Sequence, residues 1–185
     1  MDTLLQSIAD HWIVWFVSVV LIVAAVIDGM ILKVPNWLNL PFIISGWCYW
    51  CYADGVGGLG WSFLGTIIGA MPLLLLRNVG GMGAGDVKLA AGTGAWLGSL
   101  ISLKLFVAGA LAGGLIAAVM ILRSGKAFKH YAMAMQILEE WKTVRRPSKL
   151  AAIARERKPT MTLLPYGIPM AIGSVIYFAF AGMLI

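Results

Sequence analysis

Residues 12–28 read WIVWFVSVVLIVAAVID, a run whose apolar side chains cover nearly every side of a helix until Asp28 ends it. At 1.5 Å per residue such a helix is about 25 Å long, close to the roughly 30 Å of hydrocarbon in a bilayer. Working outward, stretches of the same kind recur, and the spans expected from them are Trp12 to Leu32, Trp37 to Tyr52, Leu59 to Leu76, Val87 to Ile101, Leu103 to Leu122 and Leu163 to Ile185. The expected fold is therefore an all-α polytopic membrane domain of about six helices, occupying residues 1–185 as one unit. The fourth span is short, starts beside Lys88 and is parted from the fifth only near Ser102, so a re-entrant segment is an alternative there.

Composition demands the same solvent. Of 185 residues 61% are hydrophobic and only 12% charged, too few to coat a water-soluble globule. A transmembrane barrel would alternate over segments of about ten residues, whereas Ile13 to Ile27 and Leu105 to Leu122 are apolar all round. Residues 1–11 carry Asp2 and Asp10 and no basic residue, so the first apolar run does not read as a cleaved signal peptide.

Charge sets the orientation. Ten of the 14 Lys and Arg lie between Arg123 and Lys158, and Lys33, Arg77 and Lys88 fall in loops on the same side of a six-helix chain. The positive-inside rule makes that side cytoplasmic and leaves Lys104 near the other face, with both termini outward. Topology and attraction to anionic lipid then account for the net charge of +6 without a nucleic-acid partner. The stretch 123–162 reads as a cytoplasmic basic loop with an interfacial helix: Phe128, Tyr131, Met135 and Leu138 share one face, and Pro147 ends it. A lipid-anchored linker explains it, with substrate docking as the alternative.

Gly65 with Gly69, and Gly109 with Gly113, are four apart and offer smooth faces for helix packing. The tryptophans at 12, 37, 61 and 141 fall near helix ends, where indole prefers the headgroup zone.

Chemistry narrows to two acids. Asp2, Asp10 and Asp54 fall outside and Glu139, Glu140 and Glu156 in the basic loop, which leaves Asp28 at the cytoplasmic end of the first helix and Asp86 opening the fourth. Two carboxylates at one depth in a partly dry site cannot both ionise, and they share a proton. The ionised member can then activate a water while its protonated partner hydrogen-bonds a scissile carbonyl. That chemistry needs no metal and no cofactor. Gly83 and Gly85 in the glycine-rich run 80–85 would let backbone approach a peptide strand. The plainer readings are an acid reaching the headgroups for Asp28 and a helix N-cap for Asp86.

The segment 28–36, DGMILKVPN, resembles the first catalytic segment of bacterial prepilin peptidases, and 83–89, GAGDVKL, resembles their second, which carries a Gly-x-Gly-Asp signature. Pro165-Tyr166-Gly167 is also similar to the family. The resemblance implies that Asp28 and Asp86 are catalytic, that the substrates are type IV pilin-like precursors, and that cleavage occurs at the cytoplasmic face of a bacterial inner membrane. The chain lacks the insert with two Cys-x-x-Cys pairs found in larger members. It is most like the small peptidases of tight-adherence (Flp) pilus systems, so cleavage without N-methylation is expected.

Other polar groups have simpler readings. Cys48 and Cys51 are too few for a zinc site and are expected as buried, inert thiols, with a disulfide as the alternative. His11 and His130 fall on opposite sides of the membrane. Lys88 either acts on a carboxylate or a substrate acid, or snorkels to the interface. Asn36 is expected to form the turn after Pro35, with an amide contact near Asp28 as the alternative. A proton- or cation-coupled transporter using the same two Asp residues is the rival from another class, and a membrane scaffold is a third reading. No feature assigns an oligomeric state.

Overall fold

A computed structural model describes residues 10–78, 82–124, 135–136 and 165–184. The principal elements among them are four helices: α1 (Trp12–Ile31), α2 (Asn36–Asn78), α3 (Ala84–Ser124) and α4 (Gly167–Phe180). Of these, α1, α2 and α3 are long and apolar enough to cross a membrane. Within the stretch 123–162 only Arg123 and Ser124, which end α3, and Met135 and Gln136 are described; the interfacial helix expected there, with Trp141 and His130, lies outside the described residues.

α1 stops where Leu32 enters the left-handed region at φ 52°, its N–H donating to the Asp28 carbonyl at 2.8 Å. Pro35 then opens α2, its carbonyl accepting from the N–H groups of Leu38 and Asn39. A proline has no N–H to lose at a helix start, which is why the second helix begins here.

α2 is not one rod. The Trp47 indole N–H donates to Thr66 Oγ1 at 2.9 Å, whereas nineteen residues of straight helix would part them by about 28 Å. The chain doubles back at Gly55, whose φ of 61° and ψ of −143° suit only a residue without Cβ. α3 does the same at Gly98, with φ 77°. A methyl added to Gly69 would lie 2.7 Å from the Ala90 carbonyl oxygen and 3.3 Å from Ser102 Cβ, so those two atoms are neighbours across a hairpin. The described helices thus comprise six segments: α1, arms 36–54 and 56–78 of α2, arms 84–97 and 99–124 of α3, and α4.

Two expected boundaries move. The break in α3 falls at Gly98 and not near Ser102, because the glycine alone takes a positive φ while Ser102 stays helical and donates from Oγ to the Ser99 carbonyl at 2.9 Å. The last helix ends at Phe180 and not at Ile185. Gly182 at φ 66° closes a Schellman motif there, in which Met183 N–H donates to Phe178 O at 2.9 Å and Gly182 N–H to Ala179 O at 3.2 Å.

The first arm of α3 occupies the centre, with every residue from Leu89 to Gly98 buried. Its small side chains follow from that position. The Phe42 ring covers Gly92, Gly94 meets the Gly65 backbone, Ser62 Oγ donates to Ala95 O at 2.6 Å, and the Trp96 indole N–H donates to Phe42 O at 2.9 Å. In lipid, contacts of this kind replace the hydrophobic effect as the force between helices. The second arm instead carries exposed apolar side chains such as Leu111 (72%) and Leu115 (69%), as a lipid-facing surface does. Gly109 and Gly113 on that arm pack against Met170 and Pro169 of α4.

Trp12, Tyr49, Trp50, Trp61 and Trp96 form one aromatic cluster, with ring centroids 4.7–5.8 Å apart. It sits at the start of α1, sixteen residues and about 24 Å of helix from Asp28. Cys48 and Cys51 are exposed and unlinked, contrary to the expectation of buried thiols. Gly46 meets Ala95 and the Trp50 indole bonds Trp96 O, so the face carrying residues 42, 46 and 50 is the one turned to α3. Both cysteines fall off it.

Candidate active site

Asp28 lies in the last turn of α1 with 3% of its surface exposed. Its Oδ2 accepts a hydrogen bond from the Gly167 N–H at 2.9 Å. Gly167 is the first residue of α4, where backbone N–H groups have no intrahelical acceptor and the helix dipole favours an anion. The approach depends on glycine: a Cβ at 167 would lie 3.0 Å from Asp28 Oδ2 and 3.1 Å from Asp28 Cβ.

Asp86 is the third residue of α3, 6% exposed, and its Oδ2 accepts from the Gly83 N–H at 3.1 Å. The carboxylate reaches back from the third helical position to the residue before the helix, which is the acid half of a capping box. It is therefore not an N-cap residue. Its side chain already satisfies an N–H at the helix start while remaining almost fully enclosed.

The two segments singled out by sequence touch one another. A Cβ on Gly85 would lie 2.7 Å from Val34 O and 3.0 Å from Val34 N, so the turn after α1 rests on the backbone beside Asp86. The smooth face of Gly85 is thus taken by the protein's own Val34. Asn39 Nδ2 donates to Gly85 O at 3.0 Å, and Lys88 Nζ donates to Asn36 Oδ1 at 2.8 Å on the exposed side of the same junction. Asn36 is the first residue of α2 and its amide oxygen serves Lys88. Gly83 supplies the N–H on Asp86.

The Asp28 carboxylate sits at the start of α4. Gly167 N–H holds Asp28, and the Tyr166 hydroxyl, from the residue before it, lies beside Gly109 of α3. Tyr166 is buried at 8% exposure and its hydroxyl has no hydrogen-bond partner. From the outside, an apolar groove of about 550 Å³ between α1 and α4 runs up to this junction, with Ala25, Gly29, Ile168 and Ala171 in its lining. Gly29 follows Asp28 directly and touches Ile168.

Asn39 and the Gly167 N–H are the members that sequence reasoning missed. The available signal for Asn39 was an amide amid the apolar neighbours of an expected span, a group that must find a partner once buried, as it is here. For Gly167 it was a glycine opening a helix right after Pro165-Tyr166. Among the described residues no group of three or more His, Cys, Asp or Glu could hold a metal ion. Chemically, the arrangement offers two enclosed carboxylates, each accepting from a backbone N–H, with an apolar groove reaching Gly29 beside one of them, Asp28.

Comparison with protein families finds that residues 15–118 match the model of the type IV leader peptidase family. Comparisons with curated proteins and with solved structures return no match.

Proposed function

The chain belongs to the type IV leader peptidase family, and from that premise we propose that Asp28 and Asp86 are its catalytic acids, acting as a carboxylate pair in an aspartic endopeptidase. The single observation that carries this reading is that two buried acids on different helices, 58 positions apart in the chain, belong to segments packed on one another, the turn after the Asp28 helix resting on the backbone beside Asp86. Two nearly enclosed carboxylates brought to one place share a proton. The ionised member takes a proton from a water, whose oxygen adds to the scissile carbonyl carbon. The protonated member hydrogen-bonds the carbonyl oxygen, and proton transfer to the amide nitrogen releases the new N-terminus.

The substrates of this reading are type IV pilin-like precursors, of the Flp type in particular, cut beside their hydrophobic segment at the cytoplasmic face of the inner membrane. The groove between α1 and α4 gives that segment an apolar path to Asp28. Six membrane crossings follow if each helical segment crosses once. Gly83 and Gly85 act by shaping the Asp86 loop, and Lys88 with Asn36 by tying that loop to α2. Cleavage proceeds without N-methylation.

The test is cleavage of a co-expressed pilin precursor by the parent, Asp28→Asn and Asp86→Asn proteins, with membrane accumulation checked for each. Each substitution is expected to lower processing by about a hundredfold or more at normal protein levels. Full cleavage by either variant would dismiss the carboxylate pair as the catalytic group.

A further inference from the structure

Four buried side-chain polar atoms among the described residues have no hydrogen-bond partner: Trp15 Nε1, Asn39 Oδ1, Tyr166 Oη and Ser174 Oγ. Such groups are exceptions in folded proteins, because an unpaired buried donor or acceptor costs about 1–3 kcal/mol. Position separates them. Trp15 is thirteen residues before Asp28, about 20 Å along α1, and Ser174 is seven residues past Gly167, about 10 Å along α4. Asn39 already uses its amide nitrogen on Gly85 O. Tyr166 is different, since its one polar atom is unused and its own peptide neighbour, Gly167, holds Asp28.

The depth of that hydroxyl follows from the α3 hairpin. Asp86 lies twelve residues before the Gly98 turn and Gly109 eleven after it, so by count they stand at comparable heights on the two arms. A Cβ on Gly109 would lie 3.3 Å from Tyr166 Oη. Glycine at 109 therefore leaves room for the phenol, whose hydroxyl ends on the arm of α3 that follows the one carrying Asp86, while its peptide neighbour holds Asp28. A phenol keeps its proton at neutral pH, so this is a standing hydrogen-bond donor in a water-poor place.

We propose that the Tyr166 hydroxyl is a third catalytic group, donating a hydrogen bond to the oxygen of the scissile carbonyl as that oxygen gains negative charge. The inference rests on the two-carboxylate reading above. Water oxygen bonds to the carbonyl carbon, the C=O π pair moves to oxygen, and Tyr166 stabilises the resulting oxyanion without giving up its proton. A donor left unpaired in the resting protein and used only in the transition state favours turnover over ground-state binding. A phenol that served packing alone would do so equally well without its oxygen.

The experiment compares the full-length parent and Tyr166→Phe proteins, purified and co-reconstituted with a type IV pilin-like precursor, by kcat, KM and thermal unfolding. Tyr166→Phe is expected to lower kcat by about a hundredfold, to leave KM within about twofold, and to unfold at the same or a higher temperature, since no resting hydrogen bond is lost. An unchanged kcat overturns the proposal, and so does a fall in kcat matched by a fall in unfolding temperature, which marks a structural role. Asp28→Asn and Asp86→Asn are run beside it. If either of those cleaves normally, the carboxylate pair fails and takes this proposal with it; if both are inactive and Tyr166→Phe is fully active, only the hydroxyl's role is lost.

Discussion

Asp28 and Asp86 receive the same kind of donor, a glycine N–H, from very different distances along the chain. Gly83 is three residues from Asp86, and Gly167 is 139 from Asp28. The Asp86 arrangement is a feature of one helix start and needs only the local turn to form. The Asp28 arrangement comes into being only when α4 docks against α1. The pair therefore joins a locally specified half to a half specified by tertiary assembly, and the second is the more exposed to disturbance from elsewhere.

Substituting the two donors tests the contrast most sharply. Gly167→Ala forces a Cβ to within about 3 Å of both the Cβ and the carboxylate of Asp28, and the acid must shift by some tenths of an ångström. A misplacement of that size at a reacting group is expected to lower kcat by about tenfold to a hundredfold, read by precursor cleavage at matched protein levels. Asn39→Ala comes next. It removes the bond from α2 to the Gly85 carbonyl and should cost about 1–2 kcal/mol, measured by denaturation in detergent, showing how far the Asp86 half also depends on a partner helix. Gly83→Ala is the smallest. Its Cβ would press Asp86 through Oδ2 alone, at 3.0 Å with Cγ at 3.8 Å, whereas the methyl at 167 also presses the Asp28 Cβ, so cleavage should fall less than about threefold. Should Gly83→Ala prove as damaging as Gly167→Ala, the division into local and assembled halves is wrong.

The same division governs what could be read from the chain. The Asp86 motif is a run of neighbours, and its glycines and acid announce themselves in order. The fold class was equally accessible, because apolar length is a property of contiguous residues. The reversal in α2 also fell within the break at 53–58 that the apolar pattern left between two spans. The one in α3 was harder. Gly92, Gly94 and Gly98 look alike in sequence, and only packing decides that the first two accept Phe42 and Gly65 while the third takes a positive φ and turns the chain. Cys48 and Cys51 were misread for a related reason, since the face of an apolar helix that meets its neighbour has no polar counterpart to mark it. The partners of Asp28 and Asn39 depend on contacts 139 and 46 residues away, which no local pattern encodes.

The buried arm of α3 bears on how variants of this protein are to be interpreted. At Gly92 an added methyl runs into the Phe42 ring, and at Gly94 into the Gly65 backbone, on a segment that begins only a few residues after Asp86. In a mutational survey scored by activity alone, these glycines will be as intolerant as the carboxylates and will seem to extend the active site into the helix. Scored by abundance in the membrane they will part company with it, because a misfit at 92 or 94 removes the protein, whereas an Asp→Asn change leaves it present and silent.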